Sequence, residues 1–253
     1  MLFDTHAHLD DNQFDNDREE VIASLRDWNV TKVMNIGSCM ETSRASVKLA
    51  DKYDFIYSTV GVHPGYVTNM TDNDIEELKA LAKNPKVRAI GEIGLDYHYD
   101  DAEPDKQKFW LRKQLELAKE LDMPVVIHDR DSKGECIEIL KEMEISNGVM
   151  HCFSGSAQTA NELVKMGFMI SFTGVLTFKN ARRAVEACSA VPLERLMIET
   201  DCPYMSPEPH RGERNFSGYV EFVARKMAEI KGVSYEALAK ATMENALRFY
   251  NIK

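Results

Sequence analysis

What most narrows the fold of this chain is a rhythm in which short apolar runs alternate with amphipathic helical stretches from end to end. The runs are Leu2–Asp4, Lys32–Ile36, Phe55–Val62, Arg88–Gly91, Val125–Ile127, Gly148–Met150, Phe168–Phe172 and Arg195–Ile198. Helical patterns fall at Arg18–Trp28, Ser43–Lys52, Ile75–Lys83, Lys106–Leu121, Ser132–Met143, Ala157–Lys165 and Arg182–Ala190, then at Gly218–Ile230 and Tyr235–Phe249. Strands that alternate with helices pair in parallel, because parallel neighbours need a crossover connection. The expectation is an α/β chain whose 253 residues form one (β/α)8 TIM-like barrel domain, residues 1–253. A doubly wound open sheet is the competing arrangement. The glycine-rich dinucleotide fingerprint it often carries is missing, since Gly91-Glu92-Ile93-Gly94 is not that motif.

Composition bounds the class of function. With 44% hydrophobic and 28% charged residues the chain can bury a large core. No stretch approaches the roughly 20 apolar residues that span a bilayer, so no membrane association is expected. The N-terminal residues lack the basic and apolar regions of a signal peptide, which points to the cytoplasm. Five scattered cysteines without a CxxC pair predict reduced, mostly buried thiols rather than a disulfide framework or structural zinc site. A net charge of −10 argues against duplex binding through a general positive field. A nucleic-acid substrate would have to be drawn by a local site, and bound cations would supply much of that attraction. Nothing predicts an obligate protein partner.

The chemistry-bearing residues cluster at one kind of position. Asp4-Thr5-His6-Ala7-His8 follows the first run, and residues two apart in extended chain share a face. His63 follows the third run, Glu92 the fourth, His128 the fifth, His151 the sixth and Asp201 the eighth. In a parallel barrel the C-terminal strand ends converge on the face that carries active sites. His6, His8, Glu92, His128, His151 and Asp201 are therefore expected to hold two divalent metal ions. Imidazole with carboxylate suits Zn²⁺, Mn²⁺ or Fe²⁺, with Mg²⁺ a weaker preference. For His98 the ordinary reading is a hydrogen-bonded core or surface residue, and for His210 that reading and a functional one both stand.

The ordered motifs closely resemble those of the TatD-type deoxyribonucleases, metal-dependent hydrolases of the amidohydrolase-like barrel superfamily. The matching segments are Phe3-Asp4-Thr5-His6-Ala7-His8-Leu9-Asp10, Gly61-Val62-His63-Pro64 and Ala89-Ile90-Gly91-Glu92-Ile93-Gly94-Leu95-Asp96-Tyr97. They continue with Pro124-Val125-Val126-Ile127-His128-Asp129-Arg130, His151-Cys152-Phe153-Ser154-Gly155, Phe178-Lys179-Asn180-Ala181, Glu199-Thr200-Asp201-Cys202-Pro203-Tyr204 and Arg211-Gly212-Glu213-Arg214-Asn215. The resemblance implies a TIM-like barrel with His6, His8, Glu92 and Asp201 at one metal and Glu92, His128 and His151 at the other, Glu92 bridging. Many amidohydrolases bridge with a carbamylated lysine, whereas this strand end offers a carboxylate. Two departures stand out. Glu213 replaces the lysine that commonly precedes Arg-Asn, and Phe216-Ser217 replaces the Glu-Pro that commonly follows.

The expected reaction is metal-dependent hydrolysis of phosphodiester bonds at single-stranded DNA ends. A recessed site at a barrel rim suits a strand terminus better than the middle of a duplex, and the resemblance implies 3′-to-5′ polarity. Asp201 is the expected general base, because adjacent cations keep a carboxylate ionised. Glu92 completes the catalytic set with His63, whose role would be substrate contact or proton transfer to the leaving group. Arg211 and Arg214 could clamp phosphate oxygens bidentately, the alternative being solvated loop charges. Arg130 is a third substrate-binding candidate, although flanking Asp129 and Asp131 favour a local ion pair. Tyr97, Phe153, Phe178 and Tyr204 are candidates to stack a terminal base. An ester or amide hydrolase, such as a D-aminoacyl-tRNA deacylase, is the alternative that the same chemistry allows, and a non-catalytic nucleic-acid or partner-binding barrel is the third reading.

Overall fold

A computed structural model of the chain describes residues 1–99 and 102–253. The strands are β1 (Leu2–Ala7), β2 (Val30–Asn35), β3 (Ile56–Val60), β4 (Val87–Asp96), β5 (Val125–Arg130), β6 (Gly148–Met150), β7 (Met169–Phe172) and β8 (Leu196–Ile198). The helices are α1 (Arg18–Ser24), α2 (Met40–Lys52), α3 (Asp72–Leu81), α4 (Pro104–Glu120), α5 (Glu135–Glu142), α6 (Ala157–Lys165), α7 (Arg182–Ala190), α8 (Val220–Lys231) and α9 (Tyr235–Phe249). The strands form one eight-stranded sheet in chain order, β1 to β8, and a helix follows each strand, which is the expected (β/α)8 barrel class. Contacts divide the chain into two compact units, residues 1–35 with 152–253, and residues 36–151.

The first unit carries β1, β2, β7 and β8. All six residues of β1 are buried, as a parallel strand covered on both faces requires. Parallel pairing runs from Phe3↔Lys32 to Ala7↔Asn35 between β1 and β2, and from Ile170↔Leu196 to Phe172↔Ile198 between β7 and β8. The pairing of β1 with the chain beyond β8 continues past the strand end: Asp201 N–H donates to His6 O (2.9 Å), His8 N–H to Cys202 O (2.8 Å), and Ala7 bridges Cys202. Helix α6 opens on Ser156, whose hydroxyl accepts from Thr159 N–H (3.1 Å), and α9 on Ser234, which accepts from Ala237 N–H (3.1 Å). Beyond α9, Tyr250 is buried against Phe3.

The second unit carries β3 to β6, paired in parallel. Here β4 runs five residues past the end that the sequence suggested, to Asp96, and β5 three residues further, to Arg130. Glycine is the reason that the extension was hidden. A Cβ on Gly94 would lie 1.8 Å from His128 O, and one on Gly91 would lie 2.6 Å from Val126 Cβ, so β4 passes too close to β5 for any side chain there. Between Ile90↔Val125 and Ile93↔Ile127 three residues of β4 span two of β5. Glu92 lies within this bulge.

Cys136, Cys188 and Cys202 are buried, Cys39 and Cys152 are half-buried, and all five are free thiols, as expected. Burial pushes the Cys188 thiol up to about 12. Among the described residues no helix is long and apolar enough to cross a membrane.

Candidate metal centre

Two trios of imidazole and carboxylate groups emerge, one in each unit. In the first unit His6 lies inside β1 and His8 just beyond it, with their Nε2 atoms 3.3 Å apart. Asp201 Oδ1 lies 3.6 Å from His6 Nε2 and 3.5 Å from His8 Nε2. Ligands held at about 2.0–2.1 Å around a tetrahedral ion stand roughly 3.3 Å apart, so this spacing fits one cation. Two imidazole nitrogens turned on one carboxylate oxygen also form a donor set typical of zinc, manganese or iron.

The backbone around Asp201 is held from behind. Asp201 itself has φ +57°, a left-handed conformation that aspartate tolerates better than most residues. The neighbouring Thr200 donates from its N–H to Asp4 Oδ1 (2.9 Å) and from its hydroxyl to Asp4 Oδ2 (2.6 Å). Asp4 is fully buried, and burial raises its carboxyl to about 7 while hydrogen bonds from Ser217, Thr200 and the His6 amide work against that rise. On the other side of His8, Asn35 accepts from Leu9 N–H (2.7 Å) and donates to Asp10 Oδ1 (2.6 Å).

In the second unit Glu92 Oε1 lies 2.9 Å from His128 Nδ1 and 2.8 Å from His151 Nε2, and the two nitrogens are 3.3 Å apart. His128 turns its other nitrogen, Nε2, to Asp96 Oδ2 at 3.1 Å. A carboxylate behind a ligating imidazole fixes its tautomer and raises its basicity. His63 stands edge-on to His128, with ring centroids 4.3 Å apart. It also offers a nitrogen to a group with Glu92 and His128 whose ligand atoms all lie within 4.8 Å. Burial, reinforced by the neighbouring His128, lowers His63 to about 4, so its ring is neutral at pH 7. Its Nδ1 accepts from Gly65 N–H (3.1 Å), which places the ring proton on Nε2.

Asp4, Asp96 and Glu199 are supporting groups that the sequence reading did not single out. Glu199 accepts from Cys152 N–H (2.6 Å) and from the Ser171 hydroxyl (2.6 Å), and so holds the residue that follows His151 at φ +43°. For two of them parity was a signal: Asp4 shares alternation with His6, and Asp96 with Glu92.

The remaining expected residues have specific partners. The Arg130 guanidinium lies 4.9 Å from the Tyr99 ring and makes no ion pair with Asp129 or Asp131; Asp131 instead pairs with His98 (2.9 Å). Arg211 lies 3.7 Å over the Phe178 ring. Arg214 is engaged by both carboxylate oxygens of Asp17 (2.8 and 2.5 Å) and by Gln13 O (2.6 Å). Glu213, at one departure from the family pattern, accepts from His210 Nδ1 (2.9 Å) and from the Tyr219 hydroxyl (3.2 Å). At the other, Phe216 packs edge-on against Trp28, and Ser217 is buried beside Cys202. Of the stacking candidates, Phe153 is buried, Tyr97 donates its hydroxyl to Glu135 and Phe178 is covered by Arg211, whereas Tyr204 is exposed.

Comparison with known proteins follows the same lines. The uncharacterized metal-dependent hydrolase YabD of Bacillus subtilis (strain 168) is 45% identical over 254 residues, covering 100% of both chains. The 3′-5′ ssDNA/RNA exonuclease TatD of Cronobacter sakazakii is 32% identical over 98% of this chain and 97% of its own. The crystal structure of YjjV, a TatD homologue from Escherichia coli K12, superposes with a TM-score of 0.94 at 30% identity, covering 100% of this chain and 98% of that one. Residues 3–251 match the TatD related DNase family, and the chain therefore belongs to that family of metal-dependent hydrolases.

Proposed function

We propose that this TatD-family hydrolase is a deoxyribonuclease that removes nucleotides from the 3′ ends of single-stranded DNA. The observation that carries the reading is the pair of trios: His6, His8 and Asp201 present a donor set with the spacing of one cation, and Glu92, His128 and His151 form a second, tighter cluster of ligand atoms. A relative over nearly the full length bears the name of a 3′-5′ exonuclease, which supports the polarity. Each trio would hold one divalent ion, Zn²⁺, Mn²⁺ or Mg²⁺. Cations bound there would lower the pKa of a water from about 15.7 towards 7 and neutralise charge on the phosphate.

The chain's own groups do the rest. Asp201, at 13% side-chain exposure, is open enough to accept the proton that the attacking water loses. His63 offers Nε2–H as a donor to the leaving oxygen, and Asp96 keeps the His128 ring oriented. Arg130 and Arg211 are the phosphate contacts, and Arg214 would join them by exchanging its Asp17 partner for phosphate. With a net charge of −10, attraction for DNA is confined to these local groups. The unbroken strand order supports reading residues 1–253 as a single barrel domain, and we assign it to the cytoplasm with no obligate protein partner.

The test is metal-loaded protein with 3′-labelled and 5′-labelled single-stranded oligonucleotides, with and without EDTA. Release of labelled mononucleotide from the 3′ end alone, abolished by EDTA, is the expected result. Intact DNA together with hydrolysis of a D-aminoacyl-tRNA ester would replace this reading with the deacylase one.

A further inference from the structure

Two tyrosines that no part of the mechanism uses stand exposed in the second unit, close to its donor trio. Tyr66 is 62% exposed and Tyr99 is 53% exposed, which is unusual for large aromatic side chains. Both sit just beyond strand C-termini, Tyr66 in the 3-10 turn Pro64–Asn69 after β3 and Tyr99 after β4. Each is tied to its neighbours by specific contacts. Tyr66 N–H donates to His63 O (2.8 Å), and its ring centroid lies 6.2 Å from that of His63, the histidine in edge contact with His128. Tyr99 meets the His98 ring edge-on at 4.7 Å and has the Arg130 guanidinium 4.9 Å from its centroid. His98 in turn is fixed by Asp131 and by its own N–H to Asp96 Oδ1 (2.8 Å). Asp96 thus orients both the His128 ring and the turn that carries Tyr99.

We propose that Tyr66 and the Arg130-backed Tyr99 are the base-stacking platform of this enzyme, taking the unpaired nucleobases next to the scissile phosphate. The inference rests on the exonuclease reading and adds to it a substrate requirement and the residues that impose it. Exposed aromatic rings beside a candidate metal-ligating cluster bind flat, apolar groups, and a guanidinium behind one ring adds cation–π attraction and a charge for phosphate. In an acidic chain that positive charge favours an anionic phosphodiester over a neutral aliphatic ligand. Every base has a π-face, so such a platform is indifferent to sequence but demands bases free of a duplex stack.

The test compares wild type with Tyr66→Ala, Tyr99→Ala and the corresponding Phe variants, each checked for unchanged metal content. On a single-stranded oligonucleotide each Ala variant should raise KM at least about fivefold, the lower end of what one stacked base contributes, with the effect in KM rather than kcat. The Phe variants should retain wild-type KM. An oligonucleotide whose last two nucleotides are abasic should raise the wild-type KM similarly, and the Ala substitutions should add nothing further on that substrate. Unchanged KM in both Ala variants while DNA is cleaved would overturn the platform and leave the exonuclease reading intact. If wild type cleaves no DNA, the exonuclease reading fails, and anisotropy with a labelled, phosphorothioate-linked dT8 decides the platform. At least fivefold weaker binding by the Ala variants supports it, and equal or absent binding overturns it.

Discussion

Asp4 accepts two hydrogen bonds from Thr200, at 2.9 Å from the backbone N–H and 2.6 Å from the hydroxyl, across 196 residues of chain. The contact binds the first strand to the segment that carries Asp201, so the candidate ligands His6, His8 and Asp201 share one buried anchor. A buried donor left without its acceptor costs about 1–3 kcal/mol. Asp4→Ala strips both Thr200 donors, the Ser217 hydroxyl and the His6 amide of their acceptor and should lower the melting temperature by several degrees. It should also weaken one of two bound cations by about 10–100-fold, the usual effect of losing support behind a ligand. Asp4→Asn keeps an acceptor oxygen and should recover part of both. Metal titration calorimetry beside thermal denaturation separates the outcomes, and an Asp4→Ala protein with unaltered metal affinity would sink the idea.

Asp96 plays the corresponding part for His128, whose Nε2 lies 3.1 Å from its Oδ2. Asp96→Asn can still accept one hydrogen bond but cannot polarise the imidazole as a carboxylate does. We expect metal affinity at the second trio to fall by about 10–100-fold while the first trio keeps its ion. The measurement is metal bound per chain during competition with a calibrated chelator. Loss of both ions together would mean that Asp96 serves the fold and not the ligand.

Much of this was legible in sequence because it follows from periodicity. Helices Ala157–Lys165, Arg182–Ala190 and Tyr235–Phe249 and strand Gly148–Met150 carry the bounds that the apolar pattern indicated. The six candidate ligands stand out in sequence because imidazole and carboxylate recur beyond successive apolar runs. Asp4, Asp96 and Glu199 were not singled out, since a carboxylate in an apolar strand declares neither its partner nor its burial. Gly91 and Gly94 misled for a physical reason. Glycine reads as a turn, yet here it allows close approach of β4 to β5, and the strand continues to Asp96. Arg214 shows the opposite limit, because nothing local in Arg214-Asn215 announces Asp17 as its partner.

Asp201 is the carboxylate to test for proton transfer. Its Oδ1 faces both imidazoles of the first trio, while its backbone is fixed by the N–H bond to His6 O. Asp201→Asn preserves shape and that backbone bond but removes the basic oxygen. Turnover should fall by at least about 100-fold, the lower range for loss of a general base. The assay must be run at saturating metal, with bound metal quantified, so that weaker coordination is not mistaken for lost base chemistry. Near-normal turnover under those conditions rejects the assignment.

The two trios draw their side chains from different stretches of chain, so each can be probed by its own substitution. His8 and His128 are each partly exposed, at 12% and 16% of the side chain, so truncating either should leave the fold in place. Wild-type protein should bind two divalent ions per chain, and His8→Ala and His128→Ala should each bind about one at a concentration that saturates wild type. Both single variants should melt below metal-loaded wild type, because a ligand at 100 times its Kd stabilises the native state by about 2.7 kcal/mol and each variant forgoes one such ligand. EDTA should bring all three proteins to similar melting temperatures. Elemental analysis after desalting gives the stoichiometry directly: a single ion in wild type, lost from one variant and retained in the other, would reduce the centre to one trio and leave the second as a hydrogen-bonded cluster.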